Sequence, residues 1–338
     1  MIPHTEPQWQ TLPWQHELKA AFRRPLDLLS FLGLPADNLD VRNIASSEFS
    51  MLVPRPFAQR MKMGDPLDPL LLQVLPAAEE LHNPVNFTTD PLQEASSNPQ
   101  PGIVHKYRGR VLLICATGCA VNCRYCFRRH FDYSENNPGR DHWPATLDYI
   151  RRDTSIKEVI LSGGDPLLLG DDVLTGLIAQ IQSIAHVTRL RIHTRLPIVL
   201  PSRITSDLCE MLGNSGLKPV MVIHSNHSNE IDADVVNALD QLRTAGVTLL
   251  NQSVLLSGVN DSADVLAQLS DVLFDNGVMP YYLHLLDKVN GAAGFALSDA
   301  RAMDIYRELL SRSPGYLVPK LVRELPGHPS KVTLSPYA

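Results

Sequence analysis

The stretch at residues 109–129, "GRVLLICATGCAVNCRYCFRR", sets an unbroken apolar run directly ahead of four cysteines. A short apolar run bounded by glycines reads as a buried strand. Cys115 closes that run, and Cys119, Cys123 and Cys126 follow in a loop. The spacing admits two readings. As C-x3-C-x3-C-x2-C it offers four ligands for zinc. As C-x3-C-x2-C it offers three for a [4Fe–4S] cluster, leaving the fourth iron open. Structural zinc usually draws on two separated cysteine pairs, and here the fifth cysteine, Cys209, stands alone. Cys115 in its strand, and Cys209 on the helical stretch "ITSDLCEML", each read as a small hydrophobe.

Five further apolar runs follow: "EVILSGG" from 158, "RLRIHTR" from 189, "KPVMVIHSN" from 218, "VTLLNQSVLL" from 247 and "VMPYYLHLL" from 278. Segments of helical period separate them. Val235, Val236, Leu239 and Leu242 share one face, with Gly246 at the stop. Leu266, Leu269, Val272 and Leu273 share another, ended by Gly277. Ala302, Ile305, Leu309 and Leu310 make a third, with Ser298 as N-cap. Strands alternating with helices imply α/β architecture with parallel βαβ units. The reading is an open or partial (βα)6 barrel over residues 101–315, with a doubly wound sheet as the alternative. In either, site residues belong at the C-terminal ends of strands.

Residues 1–100 are polar, proline-rich and helix-leaning. "DPLLLQVLPAAEELHNP" reads as a short amphipathic helix and "TTDPLQEASSNPQPG" as a linker. This region is expected to cap the barrel mouth or to form the interface of a homo-oligomer. Residues 316–338 form a C-terminal segment with a strand, "YLVPKLVRE", and a lysine, Lys331, in a Gly/Pro turn. The 338-residue chain carries a net charge of −6 and no lysine/arginine run, which argues against nucleic acid. It has no apolar leader and no run near 18 apolar residues, so a soluble, cytoplasmic protein without membrane partners is expected.

"CAVNCRYC", followed by "LSGGDPLL" after the second strand, resembles the motif of radical S-adenosylmethionine enzymes. Together with "RIHTRLPIVLPSRI", "NQSVLLSGVND", "YYLHLLD" and "LPGHPSK", it makes the chain similar to lysine 2,3-aminomutases from about residue 65 onward. That resemblance implies a radical-SAM partial barrel holding three cofactors. A [4Fe–4S] cluster would sit on Cys119, Cys123 and Cys126. S-adenosyl-L-methionine would lie against Ser162, Gly163, Gly164 and Asp165, with His224 and Gln252 at strand ends. Pyridoxal 5′-phosphate would form a Schiff base with Lys331, its phosphate held by Lys106, Tyr107 and Arg110, and by Arg195. Without the resemblance, Lys106 to Arg110 is only a basic segment at a strand start. His328, Pro329 and Ser330 depart from the glycine-rich turn of the family, which makes this turn stiffer.

The resemblance also places Arg128 on the carboxylate of L-lysine, although Arg124 and Arg129 lie nearby. Asp287 and Glu324 would receive the ε-ammonium, Glu324 standing where the family usually has Asp. The implied reaction moves nitrogen from C2 to C3 of lysine by radical hydrogen abstraction, fed by a flavodoxin-type one-electron reductant. Compact length and the "PGHPSK" turn look like members that supply (R)-β-lysine to a lysyl-tRNA-synthetase-like ligase for modifying elongation factor P. A catabolic or osmolyte-producing aminomutase is the alternative. From a different class, a non-catalytic iron–sulfur or zinc protein would leave Lys331, Asp287 and Glu324 without a role.

Overall fold

The computed structural model describes residues 13–35, 49–133 and 139–337. The expected N-terminal region at 1–12 and 36–48 therefore lies outside them. One nine-stranded sheet, in simple sequential order from β1 to β9, organises the chain. The six strands expected from the apolar runs are β2 (Arg110–Ala116), β3 (Glu158–Gly163), β4 (Arg189–Thr194), β5 (Lys218–His224), β6 (Thr248–Leu255) and β7 (Val278–Leu285). These six pair in parallel with one another in sequence order. β8 (Lys320–Arg323) adds a seventh parallel strand, so the unit extends one step beyond (βα)6. Every residue of β3 is buried, as parallel strands covered on both faces require. The curled sheet is not closed.

Both ends of the sheet reverse direction. β1 (Ile103–Tyr107) turns back through Gly109, at φ +80, into β2, and β9 (Val332–Thr333) pairs antiparallel with β8. β1 departs from the reading of this segment as a strand start, because Tyr107 pairs with Arg110 across a hairpin.

The helices carry the faces read from the pattern. Val235, Leu239 and Leu242 are buried on helix Ala233–Thr244, and Leu266, Leu269 and Leu273 on Ala263–Asp275. Ala302, Ile305 and Leu309 are buried on Asp299–Arg312, where the Ser298 side chain accepts from the Arg301 amide. Cys209 is buried on helix Ser206–Gly213.

Two N-terminal expectations give way. "DPLLLQVLPAAEELHNP" is two short turns, Pro69–Leu72 and Ala78–Leu81, because Pro76 lacks the amide needed to continue a helix. "TTDPLQEASSNPQPG" is no free linker, since Leu92 and Glu94 are both buried within it.

Candidate active site

A cavity of about 310 Å³ lies inside the curled sheet, with Cys119, Cys123 and Cys126 at one end and Glu324 and Lys331 at the other. The cysteine loop follows β2, Asp165 follows β3, Arg195 follows β4 and His224 ends β5. The expected strand-end placement therefore holds for these groups.

The described N-terminal residues brace the cysteine loop. Amides of Asn122 and Arg124 donate to the carbonyls of Leu52 and Gln73, at 3.0 and 2.9 Å. Arg124 is fully buried, with Nε donating to Glu80 Oε1 at 2.7 Å. Arg129 donates to the same carboxylate at 2.7 Å and to the Gly291 carbonyl at 2.8 Å. Both arginines are pins for the loop, which leaves Arg128 as the one of the three that lines the cavity.

Cys115 belongs to the core. Its thiol is buried beneath the strand, lies 3.6 Å from the Ser162 carbonyl, and is pushed up to about 12 by burial. The four-ligand zinc reading fails on this placement, because Cys115 does not face the cavity. Among the described residues no three His, Cys, Asp or Glu converge on a single-ion site. Burial, followed by the charge of neighbouring thiols, drives Cys119 and Cys126 above the ordinary thiol range. Such a donor set is costly as free thiolates and fits a cationic cluster shared among three sulfurs.

Arg195 does not join the phosphate group expected of it. Its Nη1 donates to Cys123 Sγ at 2.8 Å and Tyr125 Oη at 2.7 Å, and its Nη2 to Gln73 Oε1 at 2.7 Å and Glu230 Oε2 at 3.2 Å. That fork is spent on the cluster side. Asn226 Nδ2 donates to the same Gln73 and Tyr125 oxygens, and Tyr125 Oη lies 2.8 Å from His224 Nε2. Burial drives His224 far below the usual histidine range, so it stays neutral. His224 and Gln252 are register partners on β5 and β6 and both line the cavity; His224 ends its strand as expected, whereas Gln252 lies mid-strand.

The glycines after β3 line the cavity and at the same time lie close against the cysteine loop. A Cβ on Gly163 would lie 2.3 Å from the Ala116 carbonyl oxygen, and one on Gly164 would lie 2.1 Å from that of Gly118. Bare backbone is required here against the cysteine loop itself. Amides of Gly164 and Asp165 then donate to those two carbonyls, each at 2.7 Å. Asp165 is likewise engaged. Its Oδ1 accepts from Thr194 Oγ1 at 2.7 Å and the Leu167 amide at 3.1 Å, and its Oδ2 from the Arg195 amide at 2.8 Å. It ties β3 to β4 and also lines the cavity. Ser162 lines the cavity as expected.

At the far end, Lys106 Nζ lies 2.8 Å from Glu324 Oε1, and Lys331 Nζ contacts the other oxygen of Glu324. Burial works to raise the Glu324 carboxyl, but the two lysines outweigh it and hold it at about 2. Asp287 is the opposite case. Its carboxyl has no hydrogen-bond partner among the described residues, and burial together with the Glu324 charge raises it to about 7, against the pull of Lys331. Arg110 stacks 4.6 Å over the Tyr107 ring, and both face the cavity beside Lys106. Lys331 Nζ stands 6.0 Å from the centre of the Tyr282 ring. A lysine among an arginine, a second lysine and tyrosines is a donor set that fits pyridoxal phosphate.

Arg128 sits between the two ends. Its Nε and Nη2 pair with Glu94 Oε2 and Oε1 at 2.8 and 3.0 Å, while Nη1 meets only Ser162 Oγ at 3.3 Å and the Gly163 carbonyl at 3.4 Å. Half of its fork is therefore occupied. Glu94, Gln73, Tyr125, Asn226 and Glu230 are site residues that sequence reasoning missed. Tyr125 alone had a visible signal, an aromatic between the second and third ligand cysteines.

The Radical SAM superfamily profile matches residues 113–269. A Haemophilus influenzae protein named L-lysine 2,3-aminomutase is 52% identical, over 94% of this chain and 94% of its own. An Escherichia coli protein of the same name is 51% identical, over 95% and 94%. One from Methanococcus maripaludis is 35% identical, over 97% of this chain and 76% of its own.

Proposed function

The chain belongs to the L-lysine 2,3-aminomutase family of radical SAM enzymes, and from that premise we propose how its own residues divide the work. It is an isomerase acting on L-lysine, with a [4Fe–4S] cluster, S-adenosylmethionine and pyridoxal phosphate as cofactors. When bound, the cluster and S-adenosylmethionine supply radical hydrogen abstraction, and pyridoxal phosphate carries the migrating nitrogen.

Cys119, Cys123 and Cys126 hold the cluster, and Arg195 donates to Cys123 to offset thiolate charge. His224, Gln252, Ser162 and the backbone of Gly163 and Gly164 border the S-adenosylmethionine side. Lys331 carries pyridoxal phosphate, with Lys106, Tyr107 and Arg110 toward its phosphate. Arg128 takes the lysine carboxylate through its free edge. Asp287 and Glu324 receive the ε-ammonium.

The observation that carries this reading is Asp287. A half-buried carboxyl with no hydrogen-bond partner among the described residues, beside a second carboxylate, favours a cation over a neutral or acidic side chain. The reading is tested by incubating anaerobically reconstituted, reduced protein with isotopically labelled L-lysine. β-Lysine together with 5′-deoxyadenosine is expected, and lysine turnover without 5′-deoxyadenosine would overturn the radical route.

The pathway reading is a cytoplasmic supply of (R)-β-lysine for elongation factor P, with a flavodoxin-type reductant. Near full-length coverage of the compact relatives supports it, against 66–78% of the longer ones. Fully β-lysylated elongation factor P in a strain lacking this gene would end that reading.

A further inference from the structure

The charged groups of the cavity form one alternating chain: Arg128, Glu94, Lys106, Glu324, Lys331. Glu94 is its hinge. Glu94 Oε2 pairs with Arg128 Nε, and Glu94 Oε1 is shared between Arg128 Nη2 at 3.0 Å and Lys106 Nζ at 3.2 Å. The carboxylate is only 5% exposed. Burial alone would raise it, but Arg128 and then Lys106 hold it below the ordinary glutamate range, so it is charged.

A guanidinium presents two edges that can each take a carboxylate, the side edge of Nε and one Nη and the end edge of both Nη. Glu94 fills the side edge of Arg128. The end edge is left toward the cavity, with only the two long contacts to Ser162 and Gly163. A planar fork held along one edge has its other edge aimed, whereas an arginine anchored at one atom swings about its stem. Removing Glu94 would also leave Arg128 and Lys106 as two buried cations without a shared counter-charge.

We propose that Glu94 is a positioning residue that aims the end edge of Arg128 at the substrate carboxylate and fixes its distance from Lys106. The proposal rests on reading Arg128 as the carboxylate clamp. Its signature is selectivity for a carboxylate, which a merely structural residue would not govern.

The test uses reconstituted holoenzyme and compares KM for L-lysine with inhibition by L-lysinamide, which replaces the carboxylate by an amide. In E94Q, KM for lysine rises about 10-fold or more, the scale of a charge-assisted hydrogen bond. kcat falls much less, and the preference for lysine over lysinamide collapses. Iron content and pyridoxal phosphate fluorescence titration report whether the fold and cofactor sites persist. E94D keeps the charge but is one methylene short, so selectivity falls there as well, and this variant decides the matter if E94Q misfolds. Wild-type selectivity in a folded E94Q or E94D overturns the proposal. R128M separates the two ideas. If R128M loses selectivity while E94D keeps it, only the role of Glu94 falls. If R128M keeps it, the clamp itself is misassigned.

Discussion

Asn at position 287 offers the sharpest test of the cavity's electrostatics. Asp287 stands at about 7 in the folded, cofactor-free chain, against an ordinary 3.8, because burial and the Glu324 charge both disfavour its carboxylate. Between those two values the folded state holds a proton that the unfolded state has released. The unfolded state binds fewer protons, so stability falls as pH rises through this window. Some three pH units at ~1.4 kcal/mol each make ~4 kcal/mol, lost between about pH 4 and pH 7 and absent thereafter. Asp287→Asn removes the ionisation and keeps the shape. The stability gap between variant and wild type should be near zero at pH 4 and grow to ~4 kcal/mol in favour of the variant above pH 7. Glu324 works with the opposite sign, since its folded value of about 2 gives stability that is lost only as pH falls through that value. It leaves the 4–7 window to Asp287. Urea denaturation of the cofactor-free protein at fixed pH steps measures the gap directly. A gap that is constant with pH, or that widens toward acid, would refute the argument. The same substitution should raise KM for lysine, because the stored destabilisation is what a substrate ammonium would relieve.

Four further outcomes follow from the cluster end. Cys115→Ser should retain iron at the wild-type ratio to protein, whereas Cys123→Ser should lose most of it on reconstitution. Gly164→Ala should also fail to take up iron, because its Cβ would lie 2.1 Å from a backbone oxygen of the cysteine loop and backbone cannot yield as a side chain does. Arg195→Gln removes a cation that donates to Cys123 at 2.8 Å, so the reconstituted cluster should become harder to reduce, read as a lower midpoint potential by spectroelectrochemistry.

The strands were legible because β3 is buried along its length and β4 and β6 bury every second residue, and a local run of apolar residues records either pattern. The helical faces were legible for the corresponding reason. β1 was not, because "IVHKY" is buried only at Ile103 and Val104, and Lys106 and Tyr107 line a cavity whose existence depends on strands far along the chain. Lys331, Asp287 and the three cysteines were found by residue type and by resemblance. What neither supplied was occupancy. Arg195 was placed near phosphate by the resemblance, yet its partners come from positions 73, 123, 125 and 230.

Glu94 makes the point most directly. Its polar surroundings in sequence read as a linker, and its burial follows from two cations at positions 106 and 128 that no local pattern pairs with it. The charge chain also crosses the seam of the unclosed sheet. β1 and β9 share no backbone ladder, but Lys106 on β1 reaches Glu324 after β8, and Glu324 reaches Lys331 before β9. Side-chain ion pairs there stand where strand hydrogen bonds would close a full barrel. An ionic seam can exchange partners without breaking a ladder, which is what the proposed role of Lys331 as the cofactor lysine requires when it gives up Glu324.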